Sequence, residues 1–200
     1  MFIVQGCRGY VRGVPTTPGA TLRLLLTSDT HLPVRRPTRR VLPAEVWAAV
    51  EAADVVVHAG DWMDPELLDA FSERAARLVA CWGNNDGDDL RARLPETAVA
   101  EVGGLQLAVT HETGAAQGRE RRCDARFGPG SDTPVDVLVF GHSHIPWDST
   151  TPGGVRLLNP GSPTERRRQP ACTYMTAEIR DGVLGGVERH DLPPGATRRD

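Results

Sequence analysis

Short apolar runs alternate with polar clusters along this chain, and their spacing predicts most of its elements. "TLRLLLTSD", Thr21–Asp29, is an apolar run that ends in polar residues, the pattern of a buried strand. "AEVWAAVEAA", Ala44–Ala53, follows Pro43 and suits a helix with proline near its first turn. "DVVVHAGD", Asp54–Asp61, is β-branched and apolar, a second strand. In "DPELLDAFSERAARL", Asp64 can cap and Pro65 can open a helix, while Leu67, Leu68, Phe71 and Ala75 form its apolar stripe. "RLVACW" supplies a third strand, "GNND" a turn, and "GDDLRARL" a short helix. This β-α-β-α-β order predicts parallel strands joined by crossover helices.

The second half changes character. "AVAEVGGLQLAVTHE" predicts two strands around Gly103-Gly104, a hairpin. "VDVLVFGHSH" is another strand, and "GVRLLNPGS" follows a Pro-Gly-Gly turn. "CTYMTAEIRDGVLGGVERHDL" predicts a last hairpin turning at Asp181-Gly182. Gly114–Thr133, rich in glycine and arginine, is expected as a long loop. These elements imply an α/β domain over 21–192, with a flexible extension at 1–20 and a flexible tail at 193–200.

Composition narrows the class. At 200 residues and 40% hydrophobic content, one domain with a real core is expected. The net charge of −3 gives no global basic field, so nucleic acid is not indicated as a partner. All 23 basic residues are arginine, which reads as compositional bias. Cys7, Cys81, Cys123 and Cys172 form no C-x-x-C pair, so neither a zinc knuckle nor a thioredoxin-like site is expected, and a reduced, cytoplasmic chain is the simplest reading. No apolar run approaches 18 residues, and no membrane role is expected. An exposed edge or hairpin leaves a homo-oligomer open.

The candidate chemistry falls where strands end. "SDTH" offers Asp29 and His31, "HAGD" offers Asp61, "GNND" offers Asn84 and Asn85, "VTHE" offers His111, and "GHSH" offers His142 and His144. Ligands of α/β sheets collect at the carboxyl ends of strands. Singly, each residue has a plain reading as a cap, a turn former or a satisfied histidine. Jointly, carboxylate, imidazole and amide at five strand ends form an inventory of metal donors.

In this order the motifs D-x-H, G-D, G-N-x-D, a lone His and G-H-x-H resemble those of calcineurin-like metallophosphoesterases. "SDTHL", "VVHAGD", "GNND", "VTHE", "GHSH" and "NPGS" are most similar to the small prokaryotic phosphodiesterases of that superfamily. The resemblance runs from Leu22 to His190. It implies a four-layer α-β-β-α sandwich and two divalent transition-metal ions, Mn2+ first, with Fe, Zn, Ni or Co as alternatives. It also implies that Asp29, His31, Asp61 and His144 hold one ion and that Asp61, Asn84, His111 and His142 hold the other. Asp61, Asn84 and His111 would form the catalytic set, with Asn84 and His111 also facing substrate. The implied substrate is a small phosphate ester, hydrolysed by a metal-bridging hydroxide. The expected activity is that of a phosphodiesterase. Its rivals are a phosphomonoesterase on the same site and an idle protein-interaction scaffold of the same fold.

Two positions depart from the wider superfamily pattern. Asn85 stands where many of its phosphatases carry a leaving-group histidine, a departure shared with the small phosphodiesterase branch, and an amide cannot act as an acid. Glu112 follows the lone His where glycine is common, and reads as solvent-facing or as a partner behind the ligands. Around these, Asp86 is expected to brace the Asn84 loop, cap the next helix or orient a ligand histidine. His58 and Cys81 read as core and His190 as solvent-facing. Trp62 and Trp82 read as packing or pocket walls. Arg119, Arg121, Arg122 and Arg126 are candidates for a basic rim, and "ERRRQP", Glu165–Pro170, could place an arginine near a phosphate or form an ordinary loop.

Overall fold

The computed structural model describes residues 10–11, 19–32 and 40–197. Its strands form two sheets. One has the order β11(Val183–Asp191), β10(Thr173–Arg180), β2(Thr21–Thr27), β3(Val55–Ala59), β4(Leu78–Cys81). The other has the order β1(Tyr10–Val11), β5(Thr97–Val102), β6(Leu105–Thr110), β7(Val137–Val139), β9(Arg156–Asn159), β8(Trp147–Thr150). β2, β3 and β4 run parallel, as do β6, β7 and β9. The hairpins expected at Gly103-Gly104 and Asp181-Gly182 join β5 to β6 and β10 to β11.

Strand alternation builds the layers. Leu24 and Leu26 of β2 join Val57, Val79, Val109, Val139 and Leu158 in the core between the sheets. Leu25, Val56 and Ala80 point the other way, onto Val46 and Val50 of α1(Ala44–Ala52) and Leu67, Leu68 and Phe71 of α2(Pro65–Arg74). Ala108, Leu138 and Leu157 of the second sheet face outward too. Opposite faces of every central strand are thus apolar, as two-sided burial requires. The result is the four-layer α-β-β-α sandwich. The cap read at the start of α2 forms: the Glu66 N–H donates to Asp64 Oδ1 at 3.0 Å, and Pro65 takes the first helical position.

Three segments carry structure that the sequence reading did not assign. The expected long loop at 114–133 contains α4(Arg119–Phe127), whose buried face is Arg119, Cys123 and Phe127. These lie four residues apart, so the helical stripe exists, but an arginine at its head disguises it. Within the expected extension, Tyr10–Val11 adds to the sheet as an edge strand on Val99 and Ala100, and the rest of 1–18 lies outside the described residues. The expected tail starts with a packed turn, where the Val41 N–H donates to the Thr197 carbonyl at 2.9 Å and Ala196 meets the helical core. α3(Asp88–Arg91) is the short helix after "GNND". Among the described residues no helix is long and apolar enough to cross a membrane.

Candidate metal centre

The loops that leave β2, β3, β4, β6 and β7 at their carboxyl ends meet at one end of the sandwich. Backbone bonds lace them together. The Asp29 N–H donates to the Gly60 carbonyl at 2.9 Å, the His31 N–H to the Asp61 carbonyl at 3.0 Å, and the Gly141 N–H to the His111 carbonyl at 3.0 Å. Asp29, His31, Asp61, His142 and His144 all carry left-handed backbone, with φ between 44° and 69°. Such conformations are costly for non-glycine residues and survive where the surroundings impose them. The two histidines of "GHSH" therefore do not converge through strand alternation. Each sits in its own strained turn beyond β7.

All seven residues read from the sequence are brought together, in two groups that share Asp61. In the first, His31 Nε2 lies 3.2 Å from His144 Nε2. Asp29 Oδ1 lies 3.3 Å from His144 Nε2 and 3.8 Å from His31 Nε2. In the second, Asn84 Oδ1 lies 3.0 Å from His111 Nε2 and 2.8 Å from His142 Nδ1. Asp61 Oδ2 joins them, 3.3 Å from His31 Nε2 and 3.4 Å from His111 Nε2. Asp29, Asp61 and His144 are at most 1% exposed, and His142 stands at the surface.

The donor set fits divalent cations. His111 Nδ1–H donates to the Ala59 carbonyl at 2.7 Å, and His144 Nδ1–H to the Glu165 carbonyl at 2.6 Å. With a metal bound, each Nε2 would be free to offer its lone pair toward the other donors. Asp29 Oδ1, Asp61 Oδ2, Asn84 Oδ1 and these nitrogens face one another, an arrangement that calls for positive charge between them. Two triads, Asp29–His31–His144 and Asp29–Asp61–His111, hold their donor atoms within 4.8 Å of one another.

Charge states follow the same logic. Burial pushes the Asp29 carboxyl up, but hydrogen bonds from His144 and His31 outweigh it and hold the group well below the usual carboxylate range. Burial opposes ionisation of Asp61 as well, yet His111 and Asn85 bring it down to about 2. Burial disfavours the His111 cation, but the Asp61 hydrogen bond and the Asp29 charge raise its pKa to about 8. Without a metal, the site draws a proton to a place where a cation fits.

Residues behind the donors set their positions. Asp86 does not orient a histidine. Its carboxylate accepts the N–H groups of Gly83 at 2.8 Å, Asp61 at 3.1 Å, Trp62 at 2.8 Å and Met63 at 2.8 Å. Gly83 is not needed for a left-handed turn; a Cβ there would stand 2.2 Å from Asp61 Oδ1. Asn85 holds the shared carboxylate, its backbone N–H donating to Asp61 Oδ1 at 2.9 Å and its side chain to Oδ2 at 2.7 Å. His58 is buried and stacked 3.4 Å from Trp62. Its Nδ1 accepts the Gly60 N–H at 3.2 Å, so its Nε2–H donates to Thr30 Oγ1, also at 3.2 Å.

The remaining candidates separate. Trp62 is core and does not wall a pocket, because its indole N–H donates to the Cys81 carbonyl at 3.0 Å below the site. Trp82 is half-buried beside Asn84 and His111. Three of the four arginines expected at a basic rim are engaged elsewhere: Arg119 is buried between Phe140 and Trp147, and Arg122 binds the carbonyls of Thr113, Ala115 and Gln117. Arg126 instead reaches Thr97 Oγ1 at 3.1 Å. Arg167, at φ 48°, donates to the His142 carbonyl at 3.1 Å, which places one arginine of "ERRRQP" beside the site. Glu112 is half-exposed with Oε1 3.6 Å from His142 Nδ1. His190 does not simply face solvent; it stacks on Tyr174 at 4.7 Å and bonds Thr176 Oγ1 at 2.8 Å.

Fold and donor set together define a metal-dependent hydrolase built on an α-β-β-α sandwich. The chain belongs to the calcineurin-like phosphoesterase superfamily, whose domain model matches residues 22–182. It is thus a metallophosphoesterase, an enzyme acting on phosphoric esters. It is 34% identical over 163 residues to a probable metallophosphoesterase of Methanocaldococcus jannaschii, covering 82% of this chain and 79% of that one. A phosphodiesterase of the same organism is 22% identical over 176 residues, covering 82% and 92%. Among solved structures, a Thermotoga maritima protein is 29% identical, covers 86% of this chain and 99% of its own, and superposes with a TM-score of 0.64. Zinc-bound Vps29 of Entamoeba histolytica, at 22% identity, covers 86% and 98% with a TM-score of 0.62 and shares the fold.

Proposed function

We propose that this metallophosphoesterase is a binuclear phosphodiesterase acting on a small phosphodiester, with Mn2+ as its ion. The observation that carries the reading is the position of Asp61 Oδ2, 3.3 Å from His31 Nε2 and 3.4 Å from His111 Nε2. A carboxylate oxygen can be shared between two cations, whereas an imidazole nitrogen serves one. Asp29, His31, Asp61 and His144 would hold one ion, and Asp61, Asn84, His111 and His142 the other. Mixed nitrogen and oxygen donors suit Mn2+ and also Fe, Co, Ni or Zn. Bound there, two ions supply Lewis acidity and a water activated near neutral pH.

The chain's own groups prepare that chemistry. Asn84 contributes an oxygen without a charge, so two carboxylates leave the loaded site positive for an anionic phosphate. Asn85 keeps Asp61 aimed through two hydrogen bonds. It has no acidic proton for a leaving group, which favours diesters over substrates that need that help. Arg167 brings a guanidinium to the rim beside His142. The relative named a phosphodiesterase supports the same class. We assign the protein to a reducing, cytoplasmic setting, in keeping with free thiols at Cys81, Cys123 and Cys172.

The test is metal analysis of Mn2+-reconstituted protein together with hydrolysis of bis(p-nitrophenyl) phosphate and p-nitrophenyl phosphate. Two ions per chain and faster diester turnover are expected. Fewer than two ions would sink the binuclear reading. Faster monoester turnover would favour a phosphomonoesterase, and metal binding without turnover would favour a scaffold.

A further inference from the structure

Beside the second donor group lies a cavity that the proposed reaction does not use. It measures about 200 Å³ and is lined by Trp82, Asn84, Glu96, Thr110, His111 and Glu112. Asn84 and His111 belong to both the donor group and the cavity, so a phosphate bound at the former opens onto the latter. Glu112 stands at the junction, with Oε1 3.6 Å from His142 Nδ1.

The sign of this wall is the puzzle. Two carboxylates flank a site whose substrate is an anion. No arginine lines the cavity among the described residues. Arg91 lies 4.3 Å from the Trp82 ring, but its own donors go to the Asp86 carbonyl at 2.8 Å and the Asn84 carbonyl at 3.2 Å. Two carboxylates beside an apolar indole, over whose ring Arg91 already lies, are a setting for a small organic cation, which gains from the charges. Volume narrows the choice further. Drug-sized ligands take cavities of roughly 300–1,000 Å³, so this one admits a single small substituent.

We propose that the cavity receives one ester substituent of the substrate, and that Glu112, Glu96 and Trp82 select a cationic, amino-alcohol-type group there. The proposal rests on the phosphodiesterase reading and names its substrate class. A monoester dianion is disfavoured by the same wall, because its extra negative oxygen faces the carboxylates. Each carboxylate, at several ångströms and an intermediate dielectric, is worth about five-fold in affinity.

The experiment uses the full chain loaded with Mn2+ and three substrates that release the same p-nitrophenol. These are p-nitrophenyl phosphorylcholine, bis(p-nitrophenyl) phosphate and p-nitrophenyl phosphate. The expected order of kcat/KM is that order. Glu112→Gln should lower the ratio of the first to the second about five-fold, chiefly through KM, with bound Mn2+ unchanged. Glu96→Gln should act in the same direction. A ratio that stays within two-fold in both variants overturns the proposal. Loss of Mn2+ from Glu112→Gln also overturns it, by making Glu112 a ligand. If wild type hydrolyses none of the three, the phosphodiesterase reading fails by itself. Calorimetry with phosphorylcholine and inorganic phosphate then reads the selectivity alone: tighter phosphorylcholine binding that Glu112→Gln removes upholds it, and equal affinities overturn it.

Discussion

Asp86 stands directly behind Asp61: its Oδ2 accepts the Asp61 N–H at 3.1 Å while its Oδ1 takes the next two N–H groups, of Trp62 and Met63, at 2.8 Å each. One carboxylate thereby holds the backbone of another in left-handed conformation, at φ 60° for Asp61. Burial raises the Asp86 pKa against these bonds, so the group depends on them to stay ionised.

Removing that clamp should be costly. Asp86→Ala leaves four N–H groups without their acceptor, at a loss of about 3 kcal/mol or more. For a chain of this size the melting temperature should fall by about 6–12 °C. Asp86→Asn keeps one acceptor oxygen and should lose less. Thermal melts of both variants check this, and an unperturbed Asp86→Ala would show that the loop holds itself.

Gly83→Ala should damage the shared carboxylate without touching its chemistry. The new Cβ would lie 2.2 Å from Asp61 Oδ1 and 2.4 Å from the Asp61 nitrogen. Asp61 must move, and both donor groups with it. Bound Mn2+ should fall below the wild-type content, along with turnover. Full metal occupancy in this variant would mean that the loop can yield.

Asn85 has become a positioning residue as well as a missing acid. Asn85→Ala frees Asp61 Oδ2 from its 2.7 Å bond. Losing such an outer partner typically costs 10–100-fold in metal affinity, about the effect expected by titration calorimetry with Mn2+. Asn85→His should raise the monoester-to-diester turnover ratio, because an imidazole can protonate a leaving group. No change in that ratio would show that the position does not set substrate class.

Metal-free protein should be most stable near pH 6.5. Burial lowers the His58 pKa from 6.5 to about 3. Below pH 6.5 the unfolded chain takes up a proton that the folded one refuses, so stability drops by up to about 1.4 kcal/mol per pH unit toward pH 3. His111 acts oppositely: with its pKa raised from 6.5 to about 8, its contribution is full below 6.5 and lost as pH rises through 8. Asp61, at about 2 against 3.8, matters only in stronger acid. Urea unfolding of chelator-treated protein at pH 5, 6.5 and 8.5 reads both limbs. His58→Gln should flatten the acid limb, and Mn2+ should remove the alkaline one by displacing the His111 proton.

Much of the fold was legible because its central strands are short, apolar and two-sided, as in "TLRLLLTSD" and "DVVVHAGD". Helix α2 announced itself through Asp64 and Pro65. Helix α4 did not, because the buried head of its stripe is Arg119, a residue type that pattern reading assigns to solvent. Only packing between Phe140 and Trp147 places that guanidinium inside. The edge strands β1 and β8 were missed for a related reason. Two or four residues carry no periodicity, and their pairing with β5 and β9 depends on neighbours distant in sequence.

By itself the sequence determined which candidate donors exist and that each follows a strand, since residue type and local alternation are local properties. The tertiary structure decided the rest. It joined Asp29 to His144 across 115 positions, set five donors in left-handed turns, and gave Asp86 and Asn85 to Asp61 rather than to a histidine or a leaving group. Distances between loops arise from how two sheets pack, and strained backbone persists only where that packing enforces it. No window along the chain contains either quantity.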